Sequence, residues 1–146
     1  MPGDVGLRRA TKADAVDIAD VLRTSLDSLA WMPKLHTREQ DLVFIRDTVL
    51  PDQAVTVAEA QDGIVGFIAV HEEWINLLYI DPAWTRRGIG GRLLAQAHGT
   101  ETKLYCFQSN TPARRFYERH GFRAQAFSGG SGNEEGLPDV LYVRRR

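Results

Sequence analysis

The stretch from Trp74 to Phe107 constrains the fold more than any other part of this chain. Its apolar residues form a short extended block from Trp74 to Ile80, closed by Asp81-Pro82. They then recur at helical spacing through Ile89, Leu93, Leu94 and Ala97, and return to an extended block at Leu104-Tyr105-Cys106-Phe107. A strand, a helix and a strand in that order require a crossover, and a crossover joins strands lying parallel in one sheet. Just before this unit, Ala54–Ala58 and Ile64–Val70 are two runs separated by Gln61-Asp62-Gly63, the pattern of an antiparallel hairpin. Both kinds of pairing in one chain predict a mixed α/β sheet with helices on both faces.

The flanks fill in the rest. Val5 to Arg9 reads as an opening strand. Thr11 is placed to cap a helix, with Asp14 supporting its first turn and Ala15, Ile18, Leu22 and Leu26 forming its apolar stripe to about Leu29. The segment AWMPKLH breaks that pattern at Pro33. A second helix starts at Thr37, whose spacing to Gln40 fits a capping box, and is expected to stop before Pro51; Leu42, Ile45 and Val49 face inward. A helix over Thr111 to His120 ends on Gly121, and strands follow at Phe122–Phe127 and Val140–Arg144. Between them SGGSGNEEGLPD reads as a mobile loop. The order is β-α-α-β-β-β-α-β-α-β-β. With no repeat and no linker, 1–146 is expected to be a single domain.

Composition excludes several classes. The 146 residues are 43% hydrophobic and 25% charged, a globular balance. A net charge of −1 gives no field for nucleic acid, and Arg144, Arg145 and Arg146 read as a solvated tail. Cys106 is the only cysteine, so no internal disulfide is possible and a reducing, cytoplasmic location is expected. The N-terminus lacks an apolar leader and no run reaches membrane-spanning length, so no membrane association is expected. His36, His71, His98 and His120 have no ligand spacing, and no metal is expected.

Gly88-Ile89-Gly90-Gly91 opens the crossover helix. Amides at a helix start lack partners, the aligned dipoles give about half a positive charge there, and glycines let an anion approach the backbone. The loop therefore suits a pyrophosphate, with Arg86, Arg87 and Arg92 around it. It is not a Walker loop, because no Lys-Ser/Thr follows. Nor is it a dinucleotide fingerprint, because it comes after four strands with G-x-G-G spacing. The plain alternative is a tight turn capped by glycine.

The run LLYIDPAWTRRGIGGRLL, followed by NTPARRFYERHGF, resembles the GNAT superfamily of acetyl-CoA-dependent N-acetyltransferases. The resemblance implies a GNAT-like fold, acetyl-CoA as cosubstrate and an amine acceptor, either a small molecule or a peptide or protein. It implies that Leu78, Tyr79 and Ile80 lie beside the pantetheine arm and that Arg86, Arg87, Gly88, Ile89, Gly90 and Gly91 hold the pyrophosphate. It further implies that Asn110 contacts the cofactor at the next helix start and that Tyr117 lies near the thioester sulfur and protonates the departing thiolate. Thr85 departs from the Gln or Arg usual at the first loop position, while still offering its amide and hydroxyl.

Acetyl transfer needs a deprotonated amine, donors for the oxyanion and a protonated leaving thiolate. A lysine-like amine has a pKa of about 10.4, so a positioned base helps. Glu73 and Glu72, at the junction of two central strands, are the candidates, one facing the cleft by strand alternation. A water chain is the alternative, since Trp74 stands where some relatives carry a glutamate base. Cys106, in an apolar strand, reads as a buried small hydrophobe. For the acceptor, Trp31, Met32, His36 and Trp74 would form an aromatic wall. Asn133, Glu134, Glu135 and Asp139 would form an acidic rim. The competing function is a catalytically weak module that binds and senses acetyl-CoA. Exposed strand edges would suit a homodimer.

Overall fold

The computed structural model describes residues 4–146. Seven strands form one sheet in the order β1-β2-β3-β4-β5-β7-β6. They are β1 (Gly6–Arg9), β2 (Ala54–Ala60), β3 (Gly63–His71), β4 (Trp74–Ile80), β5 (Glu101–Phe107), β6 (Arg123–Ser128) and β7 (Asp139–Arg145). All neighbours are antiparallel except β4 and β5, the parallel pair that the crossover demanded. One face carries α1 (Ala15–Asp27), packed through Ile18 and Leu22 onto Val55, Val57 and Phe67. The other carries α4 (Ile89–Leu94) and α5 (Thr111–Arg119), packed over Ile68, Ile75, Leu104 and Tyr142.

The second helical segment forms as its capping box dictates. The Gln40 amide donates to Thr37 Oγ1 at 3.2 Å, and Thr37 N to Gln40 Oε1 at 2.9 Å. It does not stop before Pro51. α2 (Arg38–Phe44) runs on through a π-turn at Ile45–Val49 into α3 (Leu50–Asp52). Pro51 comes just after the π-turn, whose wider ladder makes room for its ring. A buried ion pair fixes this segment to α1: Arg23 Nε donates to Asp41 Oδ2 at 2.6 Å and Nη2 to Oδ1 at 2.9 Å.

Three further expectations are corrected. α4 ends at Leu94, so Ala97 is buried beyond the helix. The terminal arginines are not a solvated tail: β7 extends to Arg145, and Arg144 lies over the Phe122 ring with its guanidinium centre at 4.6 Å. Its Nη1 and Nη2 donate to the carbonyls of His120 and Ala97 at 3.4 and 3.5 Å, just past the C-terminal ends of α5 and α4, where positive charge is favoured. The loop between β6 and β7 is tied down. Asn133 donates to Leu137 O at 2.7 Å and to Asp139 Oδ2 at 3.2 Å, and Ser128 Oγ to Asp139 Oδ1 at 2.6 Å. Gly130, at φ 95°, lies so close to the returning chain that a Cβ would stand 2.5 Å from the Leu137 carbonyl carbon.

Asp14 gives the fold an acid-sensitive joint. It accepts from Arg8 at 2.8 and 2.9 Å and from Thr11 N at 2.8 Å, and the Arg8 guanidinium holds its carboxyl down at about 2. With an unfolded-state pKa of about 3.9, this pair stabilises the protein above that pH and loses its contribution as pH falls from about 4 to 2. Asp14→Asn should flatten that limb of a stability–pH curve from urea titrations, leaving its shape above pH 5 unchanged.

Candidate functional site

The site begins with a pair of strands that part company. β4 and β5 share one registered pair, Trp74 with Lys103, reinforced by Lys103 N donating to Glu73 O at 2.8 Å. Beyond it β5 stays with β7 along its whole length, from Glu101 opposite Arg145 to Phe107 opposite Asp139. The cause is local. Ile75 and Leu77 face consecutive residues of β3, so Asn76 is an extra residue that bends β4 away. From there to Ile80 the β4 edge facing β5 has no strand partner and presents backbone donors and acceptors to a ligand. Leu78, Tyr79 and Ile80 lie on this stretch, although the Ile80 carbonyl already accepts from Ser25 Oγ at 3.0 Å.

The glycine loop lies at the open end of the splay. Gly88 holds the left-handed conformation at φ 78°, and Arg86 also has positive φ, at 64°. Gly90 and Gly91 have a role that the sequence did not reveal: a Cβ on Gly90 would stand 3.2 Å from the Phe116 ring, and one on Gly91 3.1 Å from His120 Nε2. They let α4 lie directly against α5. Arg87 sits 4.5 Å from the Trp84 ring centre, and Arg92 donates to Val5 O at 2.7 Å. The Thr85 hydroxyl is engaged within the turn, donating to Pro82 O at 3.2 Å, which leaves its amide for a ligand.

α5 brings Tyr117 to the same place. Asn110 caps the helix, its Oδ1 accepting from Ala113 N at 3.3 Å. Tyr117 packs edge-on against Phe116 and Phe122, with centroids 5.3 and 5.7 Å away. Phe116 and Tyr117 both pack, partly buried, against the core. Among the described residues the Tyr117 hydroxyl has no hydrogen-bond partner. Burial pushes its pKa above the usual phenol range, and Cys106 and Tyr79 nearby are each pushed up to about 12, also by burial. α5 is stapled to β7 beneath it: Arg114 Nε donates to Tyr142 Oη at 3.0 Å, and Tyr142 Oη to Glu118 Oε2 at 2.7 Å.

The opposite side of the splay is aromatic. Trp31 meets Phe107 edge-on at 5.7 Å, and Trp74 stacks on Tyr105 at 5.4 Å with planes 12° apart. His36 Nε2 reaches Glu134 Oε1 at 2.6 Å, joining the loop after α1 to the loop before β7. Tyr105 and Phe107 belong to no motif, and their signal in the sequence is alternation with the buried Leu104 and Cys106. Glu72 and Glu73 are not on strands, so the alternation argument does not hold. They form the turn from β3 to β4, Glu72 at φ 54°, with Glu73 Oε1 3.7 Å from Lys103 Nζ at the joined end of the splay. Among the described residues no three potential metal ligands are gathered, and no helix is long and apolar enough to cross a membrane.

The acetyltransferase (GNAT) domain profile matches residues 51–124. The chain is 41% identical over 69 residues to the uncharacterised N-acetyltransferase YafP of Escherichia coli K12, covering 47% of this chain and 44% of that protein, so it spans under half of that relative's length. It is 26% identical over 117 residues to the peptidyl-lysine N-acetyltransferase YiaC of the same organism, covering 76% of this chain and 80% of YiaC. In structure it resembles the PaiA N-acetyltransferase of Thermoplasma acidophilum in complex with coenzyme A, with a TM-score of 0.74 at 19% identity, covering 98% of this chain and 99% of that one.

Proposed function

The chain belongs to the GNAT acetyltransferase family, and we propose that it moves an acetyl group from acetyl-CoA to a primary amine of a small molecule, peptide or protein by direct attack. The observation that carries this reading is the splay of β4 from β5. An unpaired strand edge, a glycine-bearing loop and an unpartnered phenol converge on one opening. Bound acetyl-CoA would supply a thioester whose acyl carbon accepts the amine and whose thiolate leaves.

The residues divide the work as follows. The β4 edge over Leu78, Tyr79 and Ile80 aligns the pantetheine arm by backbone hydrogen bonds. The amides of Gly88, Ile89, Gly90 and Gly91, with Arg86 and Arg87, take the pyrophosphate, and Asn110 closes the far side with its free Nδ2. Tyr117 offers its proton to the leaving sulfur. Burial raises its pKa, which keeps the phenol protonated and able to donate near neutral pH. Glu73 already lies beside Lys103 and Glu72 is exposed at the turn, so water relayed past this turn is the base that the arrangement favours. Trp31, His36 and Trp74 line the acceptor's approach. The competing sensor reading would leave Tyr117 without a task.

Calorimetry with acetyl-CoA and CoA, followed by thiol release across an amine panel, tests the proposal. Gly88→Ala is the sharper loop variant. It meets no neighbour but forces a side chain into the left-handed region, at about 1–2 kcal/mol; a loop that relaxes out of that conformation must be returned to it on binding, so cofactor affinity should fall about tenfold. Wild-type protein that binds neither ligand would sink the reading. Binding without thiol release from any amine would favour the sensor.

A further inference from the structure

Among the described residues the sheet carries no helix on one side of its second half. α1 covers β2 to β4, and α4 and α5 cover the opposite face. Where β5, β7 and β6 face the α1 side no helix follows, and Tyr105 is left 61% exposed. Register fixes the rows of this shelf: Phe107 beside Asp139, Tyr105 beside Leu141, and Lys103 beside Val143, which in turn pairs with Arg123.

Charge is sorted along it. At the splayed end stand Asp139 and the loop glutamates Glu134 and Glu135. At the other end a groove of about 410 Å³ is lined by Arg123, Gln125, Val143 and Arg145. Arg145 is matched by Glu101 at 2.9 Å, and Lys103 by Glu101 at 3.3 Å and Glu73 at 3.7 Å. Arg123 has no carboxylate partner among the described residues, so it carries the groove's uncompensated charge. Four strand positions separate the Phe107 and Lys103 rows, about 13 Å at roughly 3.3 Å per residue, and Arg123 lies two strands over, about 10 Å across at roughly 4.8 Å per strand, which puts it about 16 Å away on the diagonal.

We propose that the acceptor carries an anionic group about 16 Å from its reacting amine, seated against Arg123 while the acidic rim draws the amine to the splay. Such a molecule is an extended peptide with an acidic residue four positions from the acetylated amine. A polyamine fits poorly, because its second ammonium would meet Arg123. This deepens the acyl-transfer reading and rests on it.

Two amidated pentapeptides differing only at the fifth position, glutamate or arginine, provide the test, in one series with a free N-terminal amine and one with a lysine amine. The glutamate peptides should show kcat/KM at least tenfold higher, and Arg123→Glu should abolish or reverse that preference without changing KM for acetyl-CoA. A wild type without preference, or a preference untouched by Arg123→Glu, overturns the proposal. If acetyl-CoA binds but neither peptide turns over, peptide binding in the presence of CoA decides by the same tenfold criterion. A dimer in sedimentation that Arg123→Glu dissociates would also overturn it, by giving the groove to a second copy. Failure to bind acetyl-CoA at all is a separate result that removes the acyl-transfer reading itself.

Discussion

Tyr117→Phe should lower kcat by about 10²- to 10³-fold while leaving KM for acetyl-CoA within about twofold, the range typical of losing one positioned proton donor. The substitution is clean. Among the described residues the hydroxyl has no partner, so removing it orphans nothing, and the ring contacts with Phe116, Phe122 and Tyr142 survive in phenylalanine. Thermal midpoints of the two proteins should therefore agree closely. Because burial raises the phenol's pKa, the wild-type rate should show no alkaline loss attributable to Tyr117 below pH 10. Steady-state kinetics on both proteins checks this, and an unchanged kcat would remove Tyr117 from the chemistry.

The second large effect concerns stability. Asp41→Ala takes two short hydrogen bonds from the Arg23 guanidinium, whose side chain is only 8% exposed, and leaves it a single longer contact to the half-exposed Asp27 at 3.3 Å. Breaking a buried pair by removing one partner costs about 3–5 kcal/mol, which in a chain of this size lowers the melting midpoint by about 10 °C. The double variant Arg23→Met with Asp41→Leu should recover most of that loss, since filling such a site with apolar groups removes the desolvation penalty. Differential scanning calorimetry on the three proteins checks the order. The pair also frames the loop bearing Trp31 and His36, so acceptor KM should rise in Asp41→Ala more than cofactor KM.

The sequence was most informative where one period governed one element. The block Trp74–Ile80 came out as written, and so did the parallel pair, because a strand–helix–strand order leaves few topologies. It was least informative where a residue served two masters. Gly90 and Gly91 read as an anion cradle, yet Phe116 and His120 press on them from a helix some 25 residues later, a contact no local pattern encodes. Glu72 and Glu73 read as strand positions because they sit between two strands, whereas the hairpin spends them on its turn. SGGSGNEEGLPD has the composition of a loose loop, and only tertiary contact brings its Glu134 to His36. Arg144 shows the same limit: three arginines in a row look like a tail until two helix ends are found waiting for one of them.

The position of β7 has a consequence for how the chain is made. It lies between β5 and β6, pairing with both, although it is later in sequence than either. While the protein is being synthesised, β5 already has β4 drifting away from it and nothing on its other side, and β6 has no neighbour at all. Neither can satisfy its backbone until residues 139–145 have left the ribosome, and both strand edges stay open to wrong pairing for that interval. Closure of the sheet is thus a late, long-range event. The half of the molecule that holds Tyr117 in place should be the last to become protected against hydrogen exchange during refolding, well after the β2–β3 hairpin.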